Sequence, residues 1–536
     1  MLHPIILQIK EQVPTLELNA WYLDDGTIVG TVPELREVVD IIVREGPPRG
    51  LILSTAHTTR APSLPKTTVW SKLDEAGDND PLGKGVPRVH GPGITLLGAP
   101  LGHHEYEAEV LEEKVAKVQE ITTLLPDLRD PHAEFCLLRS CLSLPKLMFI
   151  LRTVDTTAHR HLLVEFDSIT REAISRIIGA PLSDLQWRQA KIPIHLGGIG
   201  LRAAMDHGAA AYATSLLQSQ PLVSQLLSTP EDELEPLRPA VLATLSIQLN
   251  EDVTIESLTG LTQRMVSAKV DLANQTLLTP KILEAGEREV ARLASLSLPH
   301  AGAWLNCPPL PALGLHLRGP EFVVAVKFRL GMPVYDFAGN CPACGRYSDV
   351  LGDHGMVCGT GGERIARHNA LRDALHDTAA AAGLAPQKEG RALLPGNDRR
   401  PADILLPGWA GGRDAALDVT VVHPLQDATL ARAAAEPGYA LSYAYNNKMR
   451  VTADLCDQQG IAFIPVVAES MGGWHRIALE QLRKLGSALA RHTGQEEGET
   501  INHLLTRASV LLQKGLSALL LNRIPGHPAP AIGGVQ

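Results

Sequence analysis

No apolar run in the sequence approaches the length of about 20 residues that a bilayer-spanning helix needs, so no membrane span is expected. The first residues, MLHPIILQIKEQ, carry no basic segment ahead of the apolar ones and no small-residue cleavage site, which argues against a secretory signal. Cysteine is sparse, with seven in 536 residues, too few for a disulfide scaffold. Three of the seven crowd between Cys341 and Cys358, while Cys136, Cys141, Cys307 and Cys456 are scattered, a distribution that suits a reducing compartment with one metal site. Excess positive charge is missing as well: 49 Lys and Arg stand against 59 Asp and Glu, a net charge of −10. That balance argues against binding nucleic acid by bulk electrostatics, and any nucleic-acid role must rest on local sites or on absent domains. There is no dense basic cluster of the nuclear-import type and no internal repeat.

What is present suits buried cores. The apolar share is 45% and the length allows about three domains of ordinary size. Residues 1–60 hold two apolar segments separated by Asp24-Asp25-Gly26, then an amphipathic segment over 32–43 and Leu51-Ile52-Leu53. Residues 74–93 are rich in Gly, Pro and Asp and read as a loop. Helical spacing dominates from 105 to 227 and continues to about 296. Proline density then rises at Pro299, Pro308, Pro309, Pro311 and Pro320, which predicts a linker. An amphipathic helix is expected over 500–522, followed by a disordered Pro/Gly tail.

The sequence CPACGRYSDVLGDHGMVC places Cys341, Cys344, His354 and Cys358 as C-x2-C-x9-H-x3-C. The first pair fits a tight turn with both sulfurs aimed at one point, and His354 and Cys358, four apart, fit one side of a helical turn. Three thiolates and an imidazole make a closed tetrahedral set, which favours structural over catalytic Zn2+.

The stretch RPADILLPGWAGGRDAALDVTVVHP follows. Asp403 opens a short apolar strand over 404–406, residues 407–412 are turn material, and a second strand is predicted over 415–422, so the pair reads as a hairpin. The two-residue period puts Asp418, Thr420 and Val422 on one face and Leu417, Val419 and Val421 on the other. An acid in mid-strand among valines is costly to bury unless it is paired or bound to a metal. Two carboxylates meeting across a hairpin repel each other, and Mg2+, which prefers oxygen ligands and keeps several waters, relieves that repulsion and carries a hydrolytic water. The competing reading has Asp403 capping a turn and Asp418 pairing with Arg413 or another cation; spacing alone leaves both open. A helical segment over 425–458 and a third strand over 461–467 complete a β-α-β order, hence an α/β class. Lys448, in AYNNKMR, lies on the crossover helix within reach of the carboxylate end of the sheet, although a helix lysine is ordinarily just solvated.

In this order, the knuckle, Arg367-His368-Asn369 on a helix, Pro401-Ala402-Asp403, Asp418 and Lys448 closely resemble the endonuclease end of site-specific non-LTR retrotransposon polyproteins over residues 340–480. The resemblance implies a PD-(D/E)XK nuclease fold. It makes Asp403 and Asp418 the Mg2+-binding acids, Lys448 a catalytic lysine displaced onto a helix, and His368, with Arg367, a supporting site residue. Two departures stand out: Ala402 intervenes where that family has Pro directly before the first Asp, and Thr420 sits where many nucleases of this fold carry Lys.

Near the other end, WYLDDGTIVG places Asp24 and Asp25 at a turn that is similar to the Y-x-D-D metal-binding hairpin of reverse transcriptases. Alone it would be a plain β-turn. Three later segments extend the resemblance: Gly50 to Leu53 with Pro65-Lys66-Thr67, where Lys66 takes the place of the next palm motif's lysine; Leu97-Gly98-Ala99-Pro100-Leu101-Gly102, like the primer-grip turn; and Ile192 to Leu201, like the LP-x-x-GG-x-GL segment beyond the palm. Nucleotidyl transfer needs carboxylates from two strands, one well upstream of the Asp-Asp hairpin. Only 23 residues precede Asp24, and Glu11 and Glu17 are the sole acids among them, so the polymerase part is expected to be inactive alone.

The implied architecture is multidomain. It comprises a truncated reverse-transcriptase palm over 1–105, a helical thumb and connection region over 106–300 and a Pro-rich linker over 301–340. A CCHC zinc knuckle over 341–360, a restriction-enzyme-like α/β endonuclease over 361–490, and a C-terminal helix with a disordered tail over 491–536 follow. The implied cofactors are structural Zn2+ and catalytic Mg2+; the implied partners are a DNA target and the element's RNA, with no membrane, in the nucleus. The expected activity is a DNA nick whose 3′ end primes reverse transcription. The alternative is a catalytically silent retroelement relic keeping a zinc-stabilised nucleic-acid-binding fold.

Overall fold

The computed structural model describes residues 2–55, 66–71, 79–389, 393–394 and 401–526. The chain divides into two compact units: Met1–Lys117 with Leu147–Glu165 and Met205–Val270, and Val118–Lys146 with Phe166–Ala204 and Asp271–Gln536.

In the first unit, α1 (His3–Gln12) precedes a hairpin of β1 (Leu18–Tyr22) and β2 (Asp25–Val29), and α2 (Val32–Glu45) follows it. Helix α2 starts where it does because Glu34 turns back on Thr31, taking hydrogen bonds from its amide (2.6 Å) and hydroxyl (2.7 Å), which satisfies amides that the first turn leaves bare. Its apolar stripe, Val38, Ile41 and Ile42, packs on Ile5 and Ile9 of α1, with Trp21 and Ile28 of the hairpin against them. A second hairpin, β3 (Gly93–Leu96) and β4 (Ala99–Gly102), turns through Leu97 and Gly98, both at positive φ (49° and 86°), the conformation tight two-residue hairpins require. Among the described residues each hairpin is a two-stranded sheet by itself.

Helices dominate the middle of the chain: α3 (His104–Leu124), α4 (Pro131–Leu137), α5 (Leu144–Thr153), α6 (Arg160–Ile177), α7 (Asp184–Lys191), α8 (Ala204–Leu227), α9 (Pro239–Leu249), α10 (Ile255–Leu258), α11 (Gln263–Glu284), α12 (Glu287–Leu296) and α13 (Gly319–Arg329). In the first unit, small residues Ala209, Ala210 and Ala213 of α8 let Val241 and Leu245 of α9 and Val266 and Val270 of α11 approach closely.

The second unit corrects the expectation of a linker over 301–340. That segment is core: Trp304, Leu305, Phe322 and Val326 are at most 1% exposed and pack with Phe135 and Ile174. The prolines open and space 3-10 turns and α13 rather than loosening the chain, because the apolar residues between them recur at spacings that bury.

Further on come β5 (Gly339–Asn340), β6 (Tyr347–Ser348), α14 (Asp353–Val357) and α15 (Glu363–Ala381), then β7 (Gln387–Lys388), β8 (Ile404–Ala410), β9 (Arg413–Val422), α16 (Leu430–Ala435), α17 (Tyr439–Asp457), β10 (Ala462–Glu469), α18 (Arg476–Thr493) and α19 (Glu497–Leu521). Strands β7 to β10 form one mixed sheet in the order β10-β9-β8-β7. β8 and β9 are antiparallel neighbours, and β10 runs parallel to β9, a direction change that α17 supplies. Leu417, Val419 and Val421 face Leu371 and Leu375 of α15 and Leu479 and Leu482 of α18. On the opposite face Ala416, Leu405 and Phe463 meet Cys456 of α17. With helices on both faces, these strands are mostly apolar, with Asp418 and Thr420 breaking the run in β9.

Helix α19 is long and apolar enough to cross a membrane by length and composition, the one described helix that is, and its most apolar window is 61% buried. Its residues explain why: Val510, Leu504, Leu505 and Leu512, and Leu516, Leu519 and Leu520 each enter a different hydrophobic core. The amphipathic helix expected over 500–522 is therefore a core helix of the second unit.

Candidate functional site

The sheet and α17 bring Asp403, Asp418 and Lys448 together. Asp403 lies just before β8 and is tied to β9 on either side of Asp418: its amide donates to the Leu417 carbonyl (2.9 Å), and its Oδ2 accepts from the Val419 amide (2.7 Å). Lys448 Nζ reaches Asp418 Oδ1 at 3.1 Å and Oδ2 at 2.9 Å, and the Thr420 hydroxyl donates to Oδ2 at 3.1 Å. The alternation of β9 aims Asp418, Thr420 and Val422 into a cavity of about 580 Å³ that α17 closes with Tyr443, Asn447 and Lys448.

Burial raises the Asp418 pKa above the ordinary carboxylate value. The Lys448 cation and its hydrogen bond oppose that rise, the nearby Asp403 charge adds to it, and the net shift is upward. His368, on the first turns of α15, sets Nε2 3.1 Å from Asp403 Oδ2. That hydrogen bond is the main reason the imidazole's pKa is raised, against an opposing desolvation. Arg367 does not share this place. One helical step (about 100°) from His368, it is 5% exposed and packs its stem where Gly515 of α19 leaves room; a Cβ there would lie 2.3 Å from Arg367 Cγ. Burial pulls its pKa down to about 10, a shift a phosphate-facing arginine in water would not show.

Asp418 pairs with a cation, as the competing reading of the sequence allowed, though not with Arg413. Arg413 bonds Asp457 at 2.8 Å, and Lys448 is the cation at Asp418. The hairpin also runs longer than expected, through residues 407–410, with a register shift between Leu406 and Ala410 that accommodates Pro407 and Gly408.

Cys341, Cys344, His354 and Cys358 converge, with one donor atom from each within 4.8 Å of the others. Cys341 Sγ and Cys358 Sγ are 4.0 Å apart, and Cys344 Sγ and His354 Nε2 are 3.1 Å apart. Metal–ligand lengths of about 2.3 Å to sulfur and 2.0–2.1 Å to nitrogen in a tetrahedron require edges of roughly 3.4–3.8 Å, so this cluster fits Zn2+. Gly345, at φ 72°, turns the chain directly after the second ligand, with its amide bonded to the Cys341 carbonyl (2.8 Å). Helix α14 presents His354, and the Cys358 amide bonds the His354 carbonyl (2.9 Å). Arg288 clamps the adjacent Asp353 through two contacts of 2.5 and 2.8 Å. Arg523, 1% exposed, pairs with Glu363 at 2.8 Å and donates to the Thr360 carbonyl at 2.5 Å, so a cation backs the Cys358 side of the cluster.

The polymerase-like residues are more dispersed. Leu23 and Asp24 form the turn between β1 and β2, Leu23 at φ 56°, and Asp25 opens β2; both aspartates are exposed. Lys66 is exposed, its amide donating to Ser54 Oγ at 3.0 Å, and Pro65 lies outside the described residues. Among the described residues no cluster of three metal-ligating side chains includes Asp24 or Asp25. The segment from Ile192 to Leu201 folds into a closed loop: the Gly200 amide bonds the Ile192 carbonyl (3.1 Å), and Arg329 Nε bonds the Gly198 carbonyl (2.9 Å).

No protein-family model matches this chain, and no curated protein matches it significantly.

Residue-by-residue reading of the sequence missed the donor role of Thr420 and the cavity wall of α17. A signal for the wall exists: Ala440, Tyr443, Ala444, Asn447, Lys448, Val451 and Thr452 recur at helical spacing and line one stripe.

Proposed function

We propose that the second unit is a Mg2+-dependent DNA endonuclease of retroelement type, nicking a DNA target to leave a 3′ end from which element RNA is copied. The observation that carries this reading is the meeting of Asp418 and Lys448 in one cavity, with Asp403 close enough for its charge to raise the Asp418 pKa. A divalent ion between them would supply the attacking hydroxide and relieve that repulsion. Asp403 and Asp418 would hold the ion, with Asp403 fixed by His368 and the Val419 amide. Lys448, displaced from Asp418, would donate to a non-bridging phosphate oxygen as negative charge grows there in the in-line transition state. The P–O3′ bond breaks and the leaving oxygen takes a proton from water. Zinc in the Cys3His cluster would serve stability.

The reading extends to the first unit as a polymerase remnant unable to copy RNA alone, supported by an Asp-Asp turn that has no third acid grouped with it among the described residues. Work in the nucleus follows from the same proposal.

The silent-relic reading keeps one observation in its favour: Asp418 already has Lys448 and Thr420, and Asp403 has His368, so each acid is neutralised or hydrogen-bonded without an ion. The full chain incubated with supercoiled plasmid decides between them. Mg2+- or Mn2+-dependent open-circle product that vanishes in Asp418→Ala supports the nuclease. Absence of nicking by the parent chain supports the relic, and equal nicking by both proteins removes the site from consideration.

A further inference from the structure

The first unit carries a second cluster of metal-ligating side chains, none of them part of a motif discussed so far: His104, Glu107 and His159, each offering a donor atom within 4.8 Å of the others. His104 opens α3 and Glu107 lies one turn on, the spacing that puts two side chains over each other. Glu107 Oε2 stands 2.9 Å from His104 Nδ1. His159 arrives from a different part of the chain, at the end of the 3-10 turn Thr156–His159. That turn is fixed by Asp155, whose Oδ1 accepts from the Thr157 amide (3.0 Å) and hydroxyl (2.6 Å).

An i,i+3 His–Glu pair on a helix is ordinary by itself. The independent observation is His159: it is 5% exposed, and its Nε2 is buried with no hydrogen-bond partner. That nitrogen points at the pair, 3.6 Å from Glu107 Oε2, too long for a hydrogen bond. A buried imidazole nitrogen left bare is unfavourable, and a structure retains it where something else takes its lone pair. Donor separations of 2.9 and 3.6 Å bracket the edge of about 3.4 Å that a tetrahedral ion with ligands at 2.0–2.1 Å demands.

We infer that His104, Glu107 and His159 bind a divalent cation of the Zn2+ class, with water completing the shell. Two imidazoles and one carboxylate suit borderline ions over the all-oxygen preference of Mg2+ or Ca2+. The ion ties the first turn of α3 to the turn ahead of α6, two segments distant in sequence. This site is independent of the Cys3His cluster and of the nuclease proposal.

The test is a metal count on the untagged full chain, loaded with excess Zn2+, passed through gel filtration and measured by inductively coupled plasma mass spectrometry. Wild type is expected to retain one zinc ion per chain more than Glu107→Gln or His104→Ala, whatever the Cys3His cluster holds. The His104 side chain is 56% exposed, so its removal leaves folding intact and keeps the comparison valid if Glu107→Gln proves unstable. Added Zn2+ is also expected to raise the melting temperature of wild type more than that of His104→Ala. Equal zinc content in wild type and both variants would overturn the inference.

Discussion

At the candidate site His368 and Asp418 both carry raised pKa values, and their partners explain why. The Asp403 hydrogen bond raises the His368 pKa. Protonated His368 therefore contributes stability that is complete below the unfolded value of about 6.5 and is lost as pH rises through the higher folded value. A histidine titration followed by NMR is expected to put His368 above 6.5 in the parent and lower in Asp403→Asn. Asp418 also has a raised pKa, chiefly from burial, so its contribution is favourable below the unfolded carboxylate value and is lost as pH rises through the folded one. Above that folded value the charge on Asp418 is destabilising. Asp418→Asn is then expected to melt higher than the parent near pH 7 in chelator, with the gap narrowing when Mg2+ is added; a lower melting temperature in chelator would contradict this account. If the nuclease reading holds, His368→Ala slows nicking by about 10- to 100-fold, as loss of a group orienting a metal ligand does. At this scale the sequence carried the Cys3His spacing openly, because four soft or borderline ligands within one short segment have few other uses. It hid the His368–Asp403 contact, which joins residues 35 apart through the fold, and it hid the His104–Glu107–His159 cluster, whose third donor comes from another turn.

Helices and strands were legible where one face alone is buried. The Glu34 capping box and the stripe of α2 announce that helix, and the alternation of β9 announces which residues face the cavity. The proline-rich segment misled because proline reports where a helix cannot continue, while burial of Trp304 and Phe322 depends on distant partners such as Phe135. Trp304→Ala is expected to destabilise the second unit by about 3–5 kcal/mol, measured as a shift in the urea midpoint; a change within error would place the segment outside the core. The loop from Ile192 to Leu201 gives a sharper case. A Cβ on Gly198 would lie 1.9 Å from the Ile192 carbonyl oxygen and 2.6 Å from that of Gln189, both backbone atoms that cannot move aside cheaply. Gly198→Ala is expected to destabilise by about 3 kcal/mol, near the upper end of ordinary substitutions.

Across the molecule, zinc held by the Cys3His cluster would share one task with a buried cation. Stripping such an ion from Cys341, Cys344, His354 and Cys358 would leave Arg523 and Glu363 packed against an uncommitted thiol cluster. Bound metal at a thousandfold excess over Kd stabilises by on the order of 4 kcal/mol. Chelation is thus expected to speed amide exchange in α14, in the start of α15 and at the end of α19 by similar energy, read by hydrogen–deuterium exchange mass spectrometry. Unchanged protection there would assign the metal no structural part. The tie between these elements was invisible in the sequence, since Arg523 lies far beyond the ligand spacing.

Helix α19 has a consequence for how the chain comes into being. A ribosome delivers every strand of the mixed sheet and all four thiol and imidazole ligands before it delivers Leu504 to Leu520, yet three cores lack Val510 or their leucines until that helix arrives. During synthesis the second unit must wait with its apolar faces uncovered, an interval in which chaperone capture competes with closure. Slowing translation ahead of α19 would lengthen that exposure, whereas supplying the helix as a separate peptide would shorten it.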